Sequence, residues 1–315
     1  MKTISALPVI LLTGMLASCG GSSSDPAAVE PAGTLTLAIT DGPMEQAQEV
    51  VFHVTHVDMG HADGSVTRLE LLNGPHDIDM MQLQNGMTHD LLNGASIPAG
   101  DYDWMELGVD LQQSHYGSAS GGQHQMTQGS EHPFRATNTF QIMDQEHAEF
   151  VMDFDLRQGI QQHDMGGMMG MGFELHDGMH LMNMDDAGGL TGIIDISLVD
   201  VNNAACDPTE GGNLAYLFDA AVAQPDDLAA TDTDGFDGPV ATDIVELHGG
   251  VGEYRYHFGF VLAGSYRVAF SCSGEWDEEG DDDYPTDPDG QFDFHAFSDP
   301  VEVIAGQMQV LDITP

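Results

Sequence analysis

The residues best equipped for chemistry in this 315-residue chain are soft and crowded together. His163 is followed by Met165, Met168, Met169 and Met171, and then by His176, Met179, His180, Met182 and Met184, so seven methionines and three histidines fall within 22 residues. Thioethers and imidazoles are the ligands that Cu(I), Ag(I) and Cu(II) select. Glycines between 166 and 172 would let a loop wrap several sulfurs around one ion. His163, Met165, Met168, Met169, Met171, His176 and His180 therefore form a candidate copper or silver set, although no fixed copper spacing is met. The plain alternative is packing, because methionine is a flexible apolar filler. In that reading 166–172 is a loop and Leu175, Met179 and Leu181 are core positions of the strand after it.

Two acidic segments invite calcium. One carries Asp232, Asp234 and Asp237 in TDTDGFDG, and the other carries Asp287, Asp289 and Asp293 after Asp281–Asp283. Calcium takes six to eight oxygens, and aspartates at alternate positions before a glycine let one tight turn supply several. The twelve-residue EF-hand pattern is absent from both, and solvated acidic loops are the competing reading. For glycans, the useful groups are aromatic faces: Trp104 sits opposite the apolar parity of its strand, and Trp276 lies beside the second acidic segment. There is no G-x-S-x-G elbow, no H-E-x-x-H helix and no phosphate loop. The expectation is a binding or structural protein and not an enzyme.

Cysteine use sets the compartment. Leu16-Ala17-Ser18-Cys19 closes an apolar run that begins after Lys2, and the run from Ile4 to Leu16 is shorter than the roughly 20 residues a bilayer span needs. This reads as a lipoprotein signal over 1–18, cut before Cys19, whose thiol then carries lipid and binds a membrane. Gly20 after the cysteine favours the outer membrane. Cys206 and Cys272 are then left as an even pair, expected to form a disulfide in an oxidising envelope. Such a bond would add about 4 kcal/mol on the chain-entropy account.

The charge excludes other partners. Fifty-two acidic residues stand against six basic ones, a formal net charge of −46, and the only lysine is Lys2. Nucleic acid and anionic membrane surfaces would repel such a chain. Divalent cations, a cationic partner or a salty medium would suit it.

The elements that must position these groups are strands. Residues 19–32, rich in Gly, Ser, Pro and Ala, read as a tether. Leu35, Leu37 and Ile39 alternate with small polar residues, Val50, Phe52, Val54 and Val57 continue the pattern, and Met105, Leu107, Val109 and Leu111 oppose Tyr102, Trp104 and Glu106. Residues 112–132 read as a long polar loop, and 77–93 as a short helix or irregular turns. A break at Asp185–Gly189 divides the chain. Beyond it, the aromatic parity of 254–260 and 266–272 around Ala263-Gly264 predicts a hairpin, and a second is expected around Ala305-Gly306. Ala99-Gly100-Asp101-Tyr102 and Ala263-Gly264-Ser265-Tyr266 hint at two related sandwiches.

GTLTLAITDGP at 33–43, VVFHVTHVDM at 50–59, IPAGDYDWMELGVD at 97–110 and FVMDFDLRQGI at 150–160 together resemble the bacterial lipoprotein family of domain of unknown function 4382, over about 33–186. The resemblance implies a lipid-anchored envelope β-sandwich, sometimes compared with carbohydrate-binding folds, and brings no activity. FVLAGSYRVAF and VEVIAGQMQVLDI in 190–315 resemble prealbumin-like or carboxypeptidase-regulatory-like sandwiches. The expectation is thus an all-β protein of two antiparallel, Ig- or prealbumin-like sandwiches. Its role would be surface recognition or adhesion, with calcium, a glycan or a protein as partner; copper binding is the alternative.

Overall fold

The structure, a computed structural model, describes residues 31–42, 44, 47–118, 121–164, 171–199, 212–228, 237–248, 252–277 and 292–315. Residues 31–315 form one compact unit built almost wholly of strands. No helix among the described residues is long and apolar enough to cross a membrane.

The alternating run at the start becomes strand Ala32–Gly42, the centre of a sheet ordered 179–183, 147–155, 32–42, 89–98. It runs parallel to His147–Asp155 and antiparallel to His89–Pro98. A second sheet is organised on the long strand Ala47–His61, which pairs with 66–70, 76–79, 100–109 and 115–118. One core draws on both sheets, clustering Leu35, Leu37, Ile39 and Phe154 of the first with Phe52, Val54 and Met105 of the second. At roughly 25 cal/mol per Å² of apolar area removed from water, this burial is the main force holding the layers together.

Tyr102 departs from the parity read in the sequence. It is fully buried, and its hydroxyl donates to the Pro98 carbonyl at 2.8 Å. The cause is a bulge: Gly60 faces Trp104 but His61 faces Tyr102, so Asp103 is skipped and the alternation resets. The stretch 112–132 is likewise more structured than expected. Short strands at 115–118, 123–124 and 126–128 place Tyr116 and Met126 in the core, with Tyr116 stacked on Phe173 at 3.9 Å.

From Ala187 onward the strands pair only with one another among the described residues. One sheet runs 246–248, 253–262, 187–194, 308–310; the other runs 241–244, 214–219, 264–271, 296–297, with 301–303 added to 264–271. Neither expected hairpin forms. Glu253–Leu262 pairs with 187–194, while Gly264–Ser271 pairs with 214–219, so the Ala263-Gly264 turn carries the chain from one sheet to the other. The Ala305-Gly306 turn does the same, linking 301–303 in one sheet to 308–310 in the other. Both turns are arches over a shared core that includes Leu190, Tyr256, Phe258, Leu217, Val268 and Phe270.

Candidate functional site

The strongest local concentration of unusual groups lies where the two sets of sheets meet. At the end of the parallel ladder, Thr40, Asp41 and Gly42 stand opposite Asp153, Phe154 and Asp155. Asp155 caps the short helix Leu156–Gly159, its Oδ1 accepting from the N–H groups of Arg157 at 2.9 Å and Gln158 at 3.2 Å. An aspartate is suited to this post because its carboxylate meets the unpaired donors of a helix start. The cap aims Arg157 away from the acids and across the junction. There its Nη2 donates to the carbonyls of Gly274 at 3.1 Å and Asp277 at 2.9 Å, and sits 4.0 Å from the Asp277 carboxylate.

The facing wall comes from 241–243 and 257–260. Asp243 accepts from the His257 N–H at 2.5 Å. Gly86 and Gly259 let the two walls touch: a Cβ on Gly259 would fall 2.6 Å from the Gly86 Cα, and Gly86 also holds a left-handed φ of +74°.

Electrostatics at this junction are severe. Burial, with Asp153, Asp155 and Asp79 nearby, holds the Asp41 carboxyl well above the usual range. Burial and the charge of Asp155 push Asp153 up to about 7. Asp155 is raised by burial, offset by its cap bonds and by His180 and Arg157. Burial lowers His257, disfavouring its charged form. Adjoining the acids is a cleft of about 390 Å³, lined by Asn138, Asp153, Gln158 and His180 on the polar side and by Leu217, Val240, Phe260 and Tyr266 on the apolar side. Tyr266 is therefore a half-buried cleft wall, unlike the fully buried Tyr102 that shares its local motif.

The residues singled out from the sequence fall elsewhere or only partly converge. His163 lies on strand Ile160–Asp164 and His176 just past strand Met171–Leu175, so the Met-rich segment joins two paired strands. His163 and His176 flank Glu174, with Nε2 atoms 4.0 and 3.8 Å from its oxygens. His180 is not with them; it stands opposite Asp153 in the next ladder. Met165, Met168 and Met169 lie outside the described residues, as does the Met171 side chain.

Of the calcium candidates, Asp232, Asp234, Asp287 and Asp289 lie outside the described residues, while Asp237 and Asp293 are exposed. The roots of the two acidic segments do meet: the Leu228 N–H donates to Asp277 Oδ1 at 3.1 Å, beside the buried Asp226 and Asp227. No three His, Cys, Asp or Glu side chains among the described residues already converge as a ligand set.

Trp104 is not an open stacking face. Arg135 lies 4.0 Å over its ring and the indole packs directly on Gly60. Trp276, 48% exposed, remains open. Cys272 is buried, its Sγ 3.3 Å from the His295 Nε2, and the two cysteines named with it, Cys19 and Cys206, lie outside the described residues.

Sequence reasoning missed Asp41, Asp153 and Asp155, yet a signal was present. Asp41 continues the apolar parity of Leu35, Leu37 and Ile39, and Asp153 and Asp155 interrupt an apolar run from Phe150 to Leu156. An acid at a core position is informative because burial of an unpaired charge is costly.

No curated protein matches the chain. Among solved structures, a leucine-rich repeat protein from Bacteroides thetaiotaomicron VPI-5482 aligns at 9% identity and TM-score 0.23, covering 90% of this chain and 26% of that one. This chain thus spans about a quarter of that protein. A putative adhesin from Bacteroides ovatus ATCC 8483 aligns at 8% identity and TM-score 0.20, covering 96% and 99% of the two chains. A putative cell adhesion protein from Bacteroides eggerthii DSM 20697 aligns at 10% identity and TM-score 0.17, covering 76% and 75%. Residues 32–170 match the family model described as Domain of unknown function (DUF4382), which supports the resemblance carried by the four sequence runs in that half of the chain.

Proposed function

We propose that the protein is a non-catalytic recognition module of the cell envelope, anchored by lipid on Cys19 to the outer membrane, with two sandwich-like halves and a Cys206–Cys272 disulfide. The observation that carries the recognition role is the junction cleft. Its volume of about 390 Å³ lies in the range of small-ligand sites, which favour such boundaries, and it sets a few polar groups against an apolar wall. That mixture suits a sugar ring or a protruding segment of a protein partner. The meeting of the two acidic segments at Asp277 supports calcium assistance nearby.

The test is a plug. Val240 lines the cleft and is half exposed, so Val240→Trp fills it without disturbing the core. The purified protein is screened against a glycan array and a peptide panel, and hits are titrated. Binding that weakens at least tenfold in the variant, with an unchanged melting temperature, supports the reading. An empty screen, or hits indifferent to the plug, would sink it.

A further inference from the structure

We propose that the space at the end of the parallel ladder, between Asp41, Asp153 and Thr242, is a site for a hard divalent cation of the calcium class that ties the two halves together. This goes beyond the recognition role and concerns none of the acidic segments singled out from the sequence.

Four buried oxygens without a hydrogen-bond partner line one small space: both carboxylate oxygens of Asp41, Oδ1 of Asp153 and Oγ1 of Thr242. Asp41 is only 5% exposed and Thr242 only 3%. The Leu156 N–H leans toward the Asp41 carboxylate without reaching hydrogen-bond geometry. Orphan oxygens are uncommon in folded proteins, and four in one place call for a missing partner. Thr242 comes from the second half of the chain and the two aspartates from the first, so whatever satisfies them bridges the junction.

A positive partner for these carboxylates would have to come from outside. Each of the five arginines is engaged elsewhere: Arg68 with Asp58, Arg135 with Glu106, Arg157 with the Gly274 and Asp277 carbonyls, Arg255 with Glu253, and Arg267 with the Val222 carbonyl. The only lysine, Lys2, lies outside the described residues. Burial disfavours the charged form of His257, and His180 is exposed on the cleft side.

Size and ligand type then name the ion. The space is about 40 Å³, where roughly 10–15 Å³ holds one water, so an ion with a residual water fits. The four unpartnered donors are all oxygen, the choice of calcium or magnesium over copper, although the His257 side of the wall also borders the space. Two carboxylates, the Thr242 hydroxyl and water would form the set, since no three His, Cys, Asp or Glu side chains among the described residues converge.

The full-length protein, stripped with EDTA and desalted into 0.15 M NaCl (about an 8 Å screening length), is titrated with calcium by equilibrium dialysis and by thermal unfolding. The expected dissociation constant is about 10⁻⁴ to 10⁻³ M, as in extracellular calcium modules. Asp41→Asn and Asp153→Asn should each remove one bound ion per chain or weaken it at least tenfold, whereas Asp90→Asn, at an exposed acid away from both the junction and the acidic segments, should not. In EDTA both junction variants should melt at or above the parent, which shows that they fold. Unchanged binding in both junction variants would overturn the proposal, as would a parent whose melting temperature ignores calcium. A parent stabilised only by acid, with no response to calcium, would assign the carboxyls to simple protonation and overturn it too.

Discussion

Asp277 and Asp41 are both carboxylates buried at the same junction, and the fold treats them in opposite ways. Asp277 receives the Leu228 N–H and has the Arg157 guanidinium 4.0 Å away, while Asp41 receives no hydrogen bond. The two sites lie on either side of one short helix, whose cap residue Asp155 belongs to the acid cluster and whose next-but-one residue Arg157 serves the other side. In a chain with six basic residues for 52 acidic ones, the placement of each cation decides which buried acid can stay charged unaided. An unpaired buried charge costs several kcal/mol and is resolved by a partner, a proton or a metal.

That contrast can be broken from several directions. The largest effect is expected for Arg157→Ala, which strands Asp277 and cuts the tie to the Gly274 carbonyl; urea unfolding should show a loss of about 3–5 kcal/mol. A loss below about 1 kcal/mol would mean that Asp277 is no better served than Asp41. Next comes Gly259→Val, which forces a side chain onto the Gly86 backbone and should cost about 1–3 kcal/mol. Wild-type stability in this variant would show that the two walls separate without penalty.

The acid cluster predicts a smaller effect of opposite sign. Asp153 titrates near 7 in the fold against an ordinary 3.8, so between those values the folded state holds more protons than the unfolded one. Without a cation, its contribution is therefore most favourable below about pH 4 and is lost as pH rises through about 7. In EDTA at pH 8, Asp153→Asn should gain about 1–2 kcal/mol and flatten the stability profile between pH 5 and 8. A profile as steep as the parent's would remove Asp153 from the cluster. Asp58 and Asp63, whose carboxyls are held low by hydrogen bonds from Arg68 and Ser65, act in the reverse sense and weaken the fold only in stronger acid.

The two tryptophans give the smallest and sharpest contrast. Arg135→Ala uncovers the Trp104 ring, removing a cation–π contact worth about 0.5–1 kcal/mol together with the Glu106 ion pair, worth at most about 1 kcal/mol more. Trp276→Ala, on an open surface, should change stability by no more than about 0.5 kcal/mol. Any glycan that stacks on an aromatic face should lose affinity in the Trp276 variant and ignore the Trp104 environment.

Strand identity was legible because pleating is local: Leu35, Leu37 and Ile39 announce a buried face whatever lies opposite. The bulge at Asp103 was not, since only the register against Gly60 and His61 reveals that a residue has been skipped. The Ala263-Gly264 and Ala305-Gly306 turns looked like hairpins for the same reason. A tight turn between two apolar strands is compatible with pairing them or with sending them to different sheets, and the choice rests on partners dozens of residues away.

The candidate site divides along the same line. Residue alternation determined that this chain is rich in strands, and composition that it is so acidic that most carboxylates must face solvent or a cation. Which carboxylates would be enclosed was decided by the tertiary structure, when a parallel ladder ended beside 241–243 and left Asp41, Asp153 and Thr242 around one space. Burial and the turning of Arg157 toward Gly274 and Asp277 are properties of that assembly, because desolvation depends on every element packed around a group and not on the neighbours it has in the chain.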